Sequence, residues 1–214
     1  DGFEKITGGK LVEGYGLSEA SPIVVVNPIY GMVKPGSIGI PIADTQIKII
    51  DPETGEEINE PGSIGEMVVK GPQAMQGYWN NPEETNLVLK NGWLHTGDLV
   101  YMDEDGYIFV ADRLKDMIIM GGEKIYPREL EDFLYTHPAV KEVAVVGMPH
   151  SLRGEVPKAF VVLKEGSNAT IKDLRRYCIA HLSKFKIPKF EIIDSLPRNL
   201  VGKVLRRLLR EEQL

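Results

Sequence analysis

The hydrophobic pattern in the first half of the chain predicts short β-strands separated by turns. Apolar and β-branched residues recur in brief runs, and glycine and proline occupy the intervals between them. This spacing is typical of a strand-rich, sheet-forming subdomain. Asn81 and Pro82 have the positions of an N-cap and a first helical residue, which predicts one helix among the strands. The predicted strands are residues 22–26, 46–50, 66–70, 98–102 and 107–111.

From about Lys115 onwards the pattern changes to alternating strands and helices. Continuous apolar runs of the kind found in buried strands alternate with segments of helical period. This change predicts a second, compact domain, and the fold class of the whole chain is therefore predicted to be α+β. The predicted strands of this part are residues 117–120, 142–148 and 158–164, and its first helix is residues 127–137.

Two further helices are predicted towards the end of the chain. Thr170 and Asp173 have the spacing of a capping box, which starts a helix that carries Cys178. A basic helix with a packed leucine face is expected to begin near Lys203. The charges interpreted there as solvated are Arg206, Arg207 and Arg210.

Composition indicates a globular protein in a reducing compartment. The chain has 214 residues and a formal net charge of -6, and 43% of its residues are hydrophobic, which suffices for a packed core. Cys178 is the only cysteine and cannot form an internal disulfide, so a buried structural thiol is expected. No apolar run has the length of a membrane span or a signal-peptide core. We therefore expect a cytoplasmic protein.

Positive charge is concentrated after Ser183, which indicates an anionic partner. Nucleic acid is not the expected partner, because the segment has few aromatic residues and the chain as a whole is acidic. A small phosphorylated ligand fits this distribution better.

The stretch EGYGLSEAS, residues 13–21, offers the first candidate chemistry. Gly16 allows the backbone to turn closely beside Tyr15, whose ring has the shape to stack on a flat base. Ser18 and Glu19 offer oxygens to a phosphate and to a hard cation such as Mg²⁺. Taken alone, a strand end followed by a turn is the simpler interpretation.

The stretch GWLHTGD, residues 92–98, ends in a candidate ribose ligand. The carboxylate of Asp98 at the end of a glycine turn is able to accept two hydrogen bonds from a ribose diol. An aspartate that only stabilises the turn is the alternative, and both interpretations stay open. His95 receives no catalytic role, because no nearby Asp, Ser or Cys completes a relay.

Two later stretches carry candidate basic residues. In residues 111–131, Arg113 has the chemistry to bind ribose or phosphate, and the Gly121-Gly122 pair lets a ligand approach the backbone; a linker followed by a hairpin is the alternative. In PRNLVGKVLRR, Lys203 follows Gly202, so a long cationic side chain stands behind a mobile joint. An ordinary amphipathic helix is the alternative there.

In this fixed order the four stretches resemble the motifs of the adenylate-forming (AMP-binding) superfamily. YGLSE is similar to its Y-G-x-[ST]-E motif, GWLHTGD to its G-W-x-x-T-G-D motif, and PRNLVGK to its terminal P-[KR]-x-x-x-G-K motif. DRLKDMIIMGGEKIYPRELE resembles its hinge and CoA-facing loop. GYGLSE, VKGPQAMQGYW and NGWLHTGD are most similar to the motifs of long-chain fatty-acyl-CoA ligases.

The resemblance implies a domain organisation. Residues 1–111 would be the strand-rich end of a large N-terminal adenylating domain, residues 112–116 the hinge, and residues 117–214 a small, mobile C-terminal domain. It also implies that the chain is the C-terminal portion of a longer enzyme, because the family's phosphate loop and most of its acyl pocket precede YGLSE.

Roles for individual residues follow from the same resemblance. Lys203 is implied to be the catalytic lysine of adenylation, Glu19 the ligand of Mg²⁺, and Lys115 the hinge residue. The implied nucleotide-binding residues are Tyr15, Gly16, Ser18, Asp98 and Arg113. The residues implied to face CoA are Gly121, Gly122 and Lys124, to which charge alone adds the segment 184–189.

The implied activity is the ATP-dependent ligation of a long-chain fatty acid to CoA, with ATP, Mg²⁺ and CoA as the required partners. The lipid substrate also suggests peripheral association with membranes. A ligase for an aryl acid or another acid, or an adenylation domain that feeds a carrier protein, is the alternative. The isolated chain is expected to be an inactive, non-catalytic module.

Overall fold

The computed structural model describes residues 2–211. The chain divides into two compact units, one ending at Leu114 and the other beginning at Lys115. Both units combine helices with sheets whose strands are mostly antiparallel, which confirms the predicted α+β class. None of the helices within residues 2–211 is both long and apolar enough to cross a membrane.

The first unit is strand-rich. Its helices are α1 (Gly2–Thr7) and α2 (Pro82–Val88). Its strands are β1 (Gly14–Gly16), β2 (Ile23–Val26), β3 (Ile40–Pro41), β4 (Gln46–Ile50), β5 (Gly65–Lys70), β6 (Leu89–Lys90), β7 (Trp93–Met102) and β8 (Ile108–Arg113). The small sheet has the order β1-β2-β3, and the larger one has the order β4-β5-β7-β6, with β8 paired to β7.

The two sheets of this unit share one apolar core. Met67 on β5 and Leu94 on β7 are fully buried, and they belong to the same cluster as Val24 on β2. The predicted helix is confirmed: Asn81 caps α2, and its side-chain oxygen accepts the Glu84 N–H over 3.2 Å. The core therefore fixes β7, the strand that carries the GWLHTGD motif, between β5 and β8.

Strand β7 is longer than the sequence predicts. It begins at Trp93 and not at Asp98, so Asp98 lies within a strand and does not terminate a turn. The glycine of the motif still has a backbone role, since Gly97 has φ +69 in the left-handed region. The β5–β7 and β7–β8 pairings both shift register close to it. A local bulge explains why a turn-like sequence occurs in a strand.

The second unit wraps helices around a mixed sheet. Its helices are α3 (Pro127–Tyr135), α4 (Ile171–His181) and α5 (Arg206–Glu211). Its strands are β9 (Ile118–Met120), β10 (Glu123–Ile125), β11 (Val140–His150), β12 (Gly154–Leu163) and β13 (Lys189–Ile192). The order is β10-β9-β12-β11, and β13 pairs with β12 in parallel.

Strand β11 is buried on both faces, which explains its continuous apolar sequence. Val145 packs with Leu130 of α3 and Leu174 of α4, whereas Val146 on the other face packs with Leu209 of α5. The sheet is thus covered by α3 and α4 on one side and by α5 on the other.

The capping box and the buried thiol are confirmed. Thr170 Oγ1 accepts the Asp173 N–H over 3.4 Å, and the Thr170 N–H donates to Asp173 Oδ2 over 3.0 Å. Cys178 is fully buried, and burial raises the pKa of its thiol to about 11. The expected start of the last helix is wrong: α5 begins at Arg206 and not near Lys203.

Candidate functional site

The pairing of β7 with β8 determines the position of Asp98. Asp98 lies directly opposite Arg113 in the ladder, and Arg113 Nε donates to Asp98 Oδ1 over 2.9 Å. The Asp98 side chain is 8% exposed, whereas that of Arg113 is 46% exposed. The carboxylate is therefore fixed in a wall of the unit, and the guanidinium extends from it to solvent.

Tyr15 reaches the same carboxylate from β1. Its hydroxyl donates to Asp98 Oδ2, so the two oxygens of Asp98 accept from two different candidate residues. Burial raises the pKa of the Tyr15 phenol, and the hydrogen bond to Asp98 raises it further. Tyr15 is thus a neutral donor at physiological pH, and Tyr15, Asp98 and Arg113 form one cluster.

Gly16 permits the turn that places Tyr15. A Cβ at Gly16 would lie 1.5 Å from the Pro22 carbonyl oxygen, which no side chain tolerates. The β1–β2 register shifts between Tyr15 and Gly16, so the bulge and the close approach occur at the same residue. Glycine is required at this position because a side chain would collide with the Pro22 carbonyl oxygen, and not because of the φ angle of the residue.

Thr96 and Glu66 stabilise the bulge in β7 through hydrogen bonds to its backbone. Neither residue was identified as a candidate from the sequence. Thr96 Oγ1 accepts the Asp98 N–H over 3.1 Å and donates to the Met67 carbonyl over 2.7 Å. Glu66 Oε1 accepts the Gly97 N–H over 3.1 Å. Glu66 lies in the otherwise apolar run EMVV. A carboxylate inside a buried strand needs hydrogen-bonding partners, so its position in this run could have identified Glu66 from the sequence.

His95 does have a carboxylate partner in the structure. Its Nδ1 lies 2.9 Å from Glu66 Oε2, and the two residues are on the neighbouring strands β5 and β7. The sequence shows no partner near His95, because Glu66 lies 29 positions away and reaches His95 only through the pairing of β5 with β7. The imidazole contributes to the support of the bulge.

Glu19 is held by a second tyrosine. Tyr78 Oη donates to Glu19 Oε1 over 2.9 Å, and the Glu19 carbonyl accepts the Met75 N–H over 2.7 Å. Burial raises the pKa of the Tyr78 phenol, and the hydrogen bond to Glu19 adds to the rise. Ser18 precedes Glu19 in the same short 3₁₀ helix and is exposed.

The surroundings of Glu19 fit a magnesium ion of the kind that accompanies nucleotides. Such ions bind one or two protein carboxylates and complete their shell with water and phosphate oxygens. Glu19 is half-buried, and its Oε2 makes no hydrogen bond to any residue in the range 2–211. No group of three or more His, Cys, Asp or Glu suited to a metal occurs among those residues.

In the second unit, Lys203 lies in a loop that leads into α5. Lys203 is exposed, and among residues 2–211 its side chain makes no hydrogen bond or ion pair. The loop is a closed turn: the Lys203 N–H donates to Asn199 Oδ1 over 2.8 Å, and Gly202 has φ +82. Gly202 therefore fits a specific turn conformation.

The expectation that the arginines of α5 are solvated is wrong for two of them. Arg206 forms a bidentate pair with Glu131, a residue that is 8% exposed, over 2.6 and 2.8 Å. Arg210 Nη2 donates to Asp116 Oδ1 over 2.8 Å. Arg207 follows the expectation, because its side chain is 79% exposed and, among residues 2–211, pairs with Glu211 alone.

The remaining candidates of this unit lie on its surface. Lys115 is exposed at the start of the unit. Gly121 and Gly122, with φ of +62 and +92, form the turn of the β9–β10 hairpin, as the alternative interpretation predicted. Lys124 is half-buried on β10. Within the basic segment, Lys186 Nζ is paired with both carboxylate oxygens of Glu129, over 2.6 and 2.7 Å.

Two family models match the chain. The model of the AMP-binding enzyme matches residues 1–79, and the model of the AMP-binding enzyme C-terminal domain matches residues 129–203. Together they cover more than half of the sequence. Both units thus contain segments of the same family.

Curated relatives are similar over almost the whole chain. A long-chain-fatty-acid–CoA ligase of Bacillus subtilis is 56% identical over 212 residues, which are 99% of this chain and 38% of that protein. A protein of the same name from Escherichia coli O6:H1 is 48% identical over 209 residues, which are 97% of this chain and 37% of that protein. The chain therefore spans well under half the length of these relatives.

Solved structures agree with this relationship. ATP-bound MatB from Rhodopseudomonas palustris is 38% identical with a TM-score of 0.91, and the match covers 98% of this chain and 42% of that one. The o-succinylbenzoate-CoA synthetase MenE from Bacillus subtilis, with its acyl-adenylate OSB-AMP, is 40% identical with a TM-score of 0.83, covering 97% and 42%. With the motifs, the two model matches and these neighbours in agreement, we conclude that the chain belongs to the AMP-binding, adenylate-forming enzyme family.

Proposed function

We propose that this chain supplies part of the nucleotide site and the catalytic lysine of an AMP-forming long-chain fatty acid–CoA ligase. The observation that carries the proposal is the Tyr15–Asp98–Arg113 cluster, in which a buried carboxylate lies beside an aromatic ring and a guanidinium. The relatives are longer than this chain, so the proposed activity is that of the chain together with an N-terminal segment like theirs.

The cluster suits an adenosine. Each carboxylate oxygen has two lone-pair sites, so Asp98 can keep its hydrogen bonds from Tyr15 and Arg113 and still accept from ribose hydroxyls. The Tyr15 ring offers a face to the base, and base–aromatic stacking contributes about 1–3 kcal/mol. Ser18, exposed in the adjacent turn beside Gly16, offers a hydroxyl to a phosphate.

Glu19 is the residue that we expect to hold Mg²⁺. The ion, bound to the phosphates as well, would offset their negative charge. The hydrogen bond from Tyr78 to Oε1 orients the carboxylate and leaves Oε2 for the ion or its water. An orienting donor of this kind tunes a metal ligand without touching the metal.

In the first half-reaction, an oxygen of the fatty carboxylate attacks the α-phosphorus of ATP. The bond from that phosphorus to the β-bridging oxygen breaks, and its electron pair leaves with pyrophosphate. We assign to Lys203 the neutralisation of charge on the carboxylate and the α-phosphate, because an ammonium donor stabilises such charge as it develops. The product is the acyl-adenylate.

In the second half-reaction, the thiol sulfur of CoA attacks the acyl carbon. The bond to the phosphate oxygen breaks, AMP leaves, and the thiol proton is lost to solvent. Lys203 has no role in this step, so we propose that the second unit rotates about Lys115 and brings the Gly121-Gly122 turn and Lys124 to CoA.

A fusion protein tests the proposal. This chain would replace the matching segment of the Bacillus subtilis relative, and ATP–pyrophosphate exchange would be measured with a long-chain fatty acid. We expect fatty-acid-dependent exchange, and we expect Lys203→Ala to lower it by about 100-fold or more while thioester formation from supplied acyl-adenylate changes little. An equal loss in both half-reactions would refute the assignment of Lys203.

Other acids form the second candidate substrate class. The proteins MenE and AuaEII, an anthranilate-CoA ligase, are 40% and 34% identical to this chain, and their names refer to o-succinylbenzoate and anthranilate. The fusion protein should be assayed with a panel of fatty and aryl acids. Because this assay does not show which segment selects the acid, the panel should be repeated after the N-terminal segment of the fusion protein has been exchanged for that of MenE. A preference that follows the N-terminal segment would show that acid selection lies outside this chain.

We expect the chain alone to be inactive. We expect the complete protein, with its N-terminal segment, to work in the cytoplasm. Pyrophosphate release by residues 1–214 with ATP and palmitate would contradict the first expectation. The lipid substrate suggests transient contact of the complete protein with membrane surfaces. Sedimentation with phospholipid vesicles, with and without loaded fatty acid, tests that contact.

A further inference from the structure

The loop that carries Lys203 is closed by its own hydrogen bonds. The Asn199 N–H donates to the Lys203 carbonyl over 2.9 Å, and the Leu205 N–H donates to the Pro197 carbonyl over 2.8 Å. Asn199 Oδ1 also accepts the Lys203 N–H over 2.8 Å. These bonds fix the shape of the turn, but they do not fix its place on the unit.

Arg206, three residues after Lys203, attaches the turn to the sheet and to α3. Its Nη1 donates to Glu131 Oε1 over 2.6 Å and to the Val145 carbonyl over 2.7 Å, and its Nη2 donates to Glu131 Oε2 over 2.8 Å. Glu131 Oε1 also accepts the Val145 N–H over 2.6 Å. One buried carboxylate thus joins helix α3, strand β11 and the residue that starts α5.

Arg198 attaches the turn from its other side. Its Nη1 donates to the Gly202 carbonyl over 2.6 Å, and its Nη2 donates to Glu142 Oε2 over 2.6 Å. Glu142 lies on β11, the strand that Arg206 also contacts. The peptide that joins Gly202 to Lys203 is therefore held directly by a guanidinium.

We infer that Arg206 and Arg198 are positioning residues for Lys203, an inference that rests on its proposed role in adenylation. A lysine side chain is long and flexible, so the precision of its ammonium depends on how firmly its backbone is held. Planar guanidinium groups with two donors in fixed geometry provide that firmness, and an ammonium does not. A displacement of about 1 Å at a reacting group costs on the order of 100-fold in rate.

The test uses charge-conserving variants in the fusion protein described above. Arg206→Lys and Arg198→Lys remove the two-donor geometry and keep the charge, and Arg207→Lys is the matched control on the same helix. We expect Arg206→Lys to lower the rate of adenylation by about 10- to 100-fold. Thioester formation from supplied acyl-adenylate should stay within about 3-fold, and Arg207→Lys should change neither step.

A purely structural role for Arg206 would give a different result. It would lower both half-reactions together, or lower the melting temperature without separating them, and either result overturns the inference. Amide hydrogen exchange in residues 1–214 adds a readout without substrate. Arg206→Lys should speed exchange at Gly202 and Lys203 and leave helix α4 unchanged, and unchanged exchange at both amides would also overturn the inference.

Failure of the inference can be separated from failure of the proposed function. If Lys203→Ala leaves adenylation intact, the proposed role of Lys203 is wrong. If Lys203→Ala removes adenylation but Arg206→Lys and Arg198→Lys do not reduce it, only the positioning inference is wrong.

Discussion

Arg113 faces Asp98 across the β7–β8 ladder, and its Nε donates to Asp98 Oδ1 over 2.9 Å. The backbone N–H of Asp98 is held at the same time by Thr96 Oγ1. Both ends of the aspartate are therefore fixed before any ligand arrives. A site organised in this way loses little conformational entropy when it binds, which favours tight recognition of a small, rigid group.

Substitution of Asp98 should weaken nucleotide binding. In Asp98→Asn the side chain keeps its shape but loses the charge-assisted hydrogen bonds, each of which contributes about 1.5–3 kcal/mol. We expect the KM for ATP in the fusion protein to rise by about 10- to 100-fold. Glu60→Gln, at an exposed position of the same unit, is the control and should leave the KM unchanged. A normal KM in Asp98→Asn would remove this residue from the site.

The Tyr15 hydroxyl predicts a particular pH dependence of stability. Burial and the hydrogen bond to Asp98 raise the pKa of this phenol above its ordinary value, and Tyr78 shifts in the same direction. A group whose pKa is raised on folding stabilises the protein fully below the unfolded pKa, which is about 10 for tyrosine, and loses this contribution as the pH rises further. Urea unfolding of residues 1–214 between pH 9 and 11 should therefore show falling stability.

Tyr15→Phe isolates the contribution of this residue. The variant keeps the ring and removes the titrating hydroxyl, so the decline of stability above about pH 10 should become shallower. Nucleotide affinity should change little in Tyr15→Phe and fall in Tyr15→Ala, because the stacking face is lost only in the second. If stability had the same pH profile in the wild type and in Tyr15→Phe, the decline above about pH 10 could not be attributed to the Tyr15 hydroxyl.

Gly16 should be intolerant of even one added carbon. A Cβ there would overlap the Pro22 carbonyl oxygen, so the β1–β2 pairing must open in Gly16→Ala. We expect a loss of about 3 kcal/mol in the free energy of unfolding, at the upper end of overpacking effects. Gly9→Ala is the control, since its nearest neighbouring atom would be 3.5 Å away. Equal stability of the two variants would show that the approach to Pro22 is not limiting.

The sequence predicts the elements of this fold better than it predicts their partners. The capping box at Thr170 and the cap at Asn81 are local features, and their neighbours along the chain determine them. The family motifs indicated Tyr15 and Asp98, but not that they would share a hydrogen bond across 83 positions. That relationship depends on tertiary structure, which periodicity does not encode.

Charged residues show the same limit. Glu66 and His95 are separated by 29 positions and meet because β5 pairs with β7, so a search of nearby sequence could not connect them. Arg206 and Glu131 are 75 positions apart. In a basic amphipathic helix, an arginine that is solvated and one that neutralises a buried carboxylate have the same sequence pattern, and only packing distinguishes them.

This difference among the arginines of α5 can be measured. Arg210 pairs with Asp116, which is 8% exposed, so Arg210→Ala leaves a largely buried carboxylate without this partner. We expect it to lower the free energy of unfolding by about 3 kcal/mol, since loss of one partner of a buried pair costs about 3–5 kcal/mol. Arg207→Ala, which removes an exposed i,i+4 pair, should cost about 0.3 kcal/mol.

Urea unfolding of the two variants of residues 1–214 provides the measurement. Asp116→Asn serves as the matched change on the other side of the pair: it removes the buried charge itself, so combining it with Arg210→Ala should recover part of the lost stability. A cost for Arg210→Ala as small as that for Arg207→Ala would mean that Asp116 is effectively solvated. Recovery in the double variant would instead show that the penalty comes from the uncompensated carboxylate of Asp116, and not from packing lost along α5.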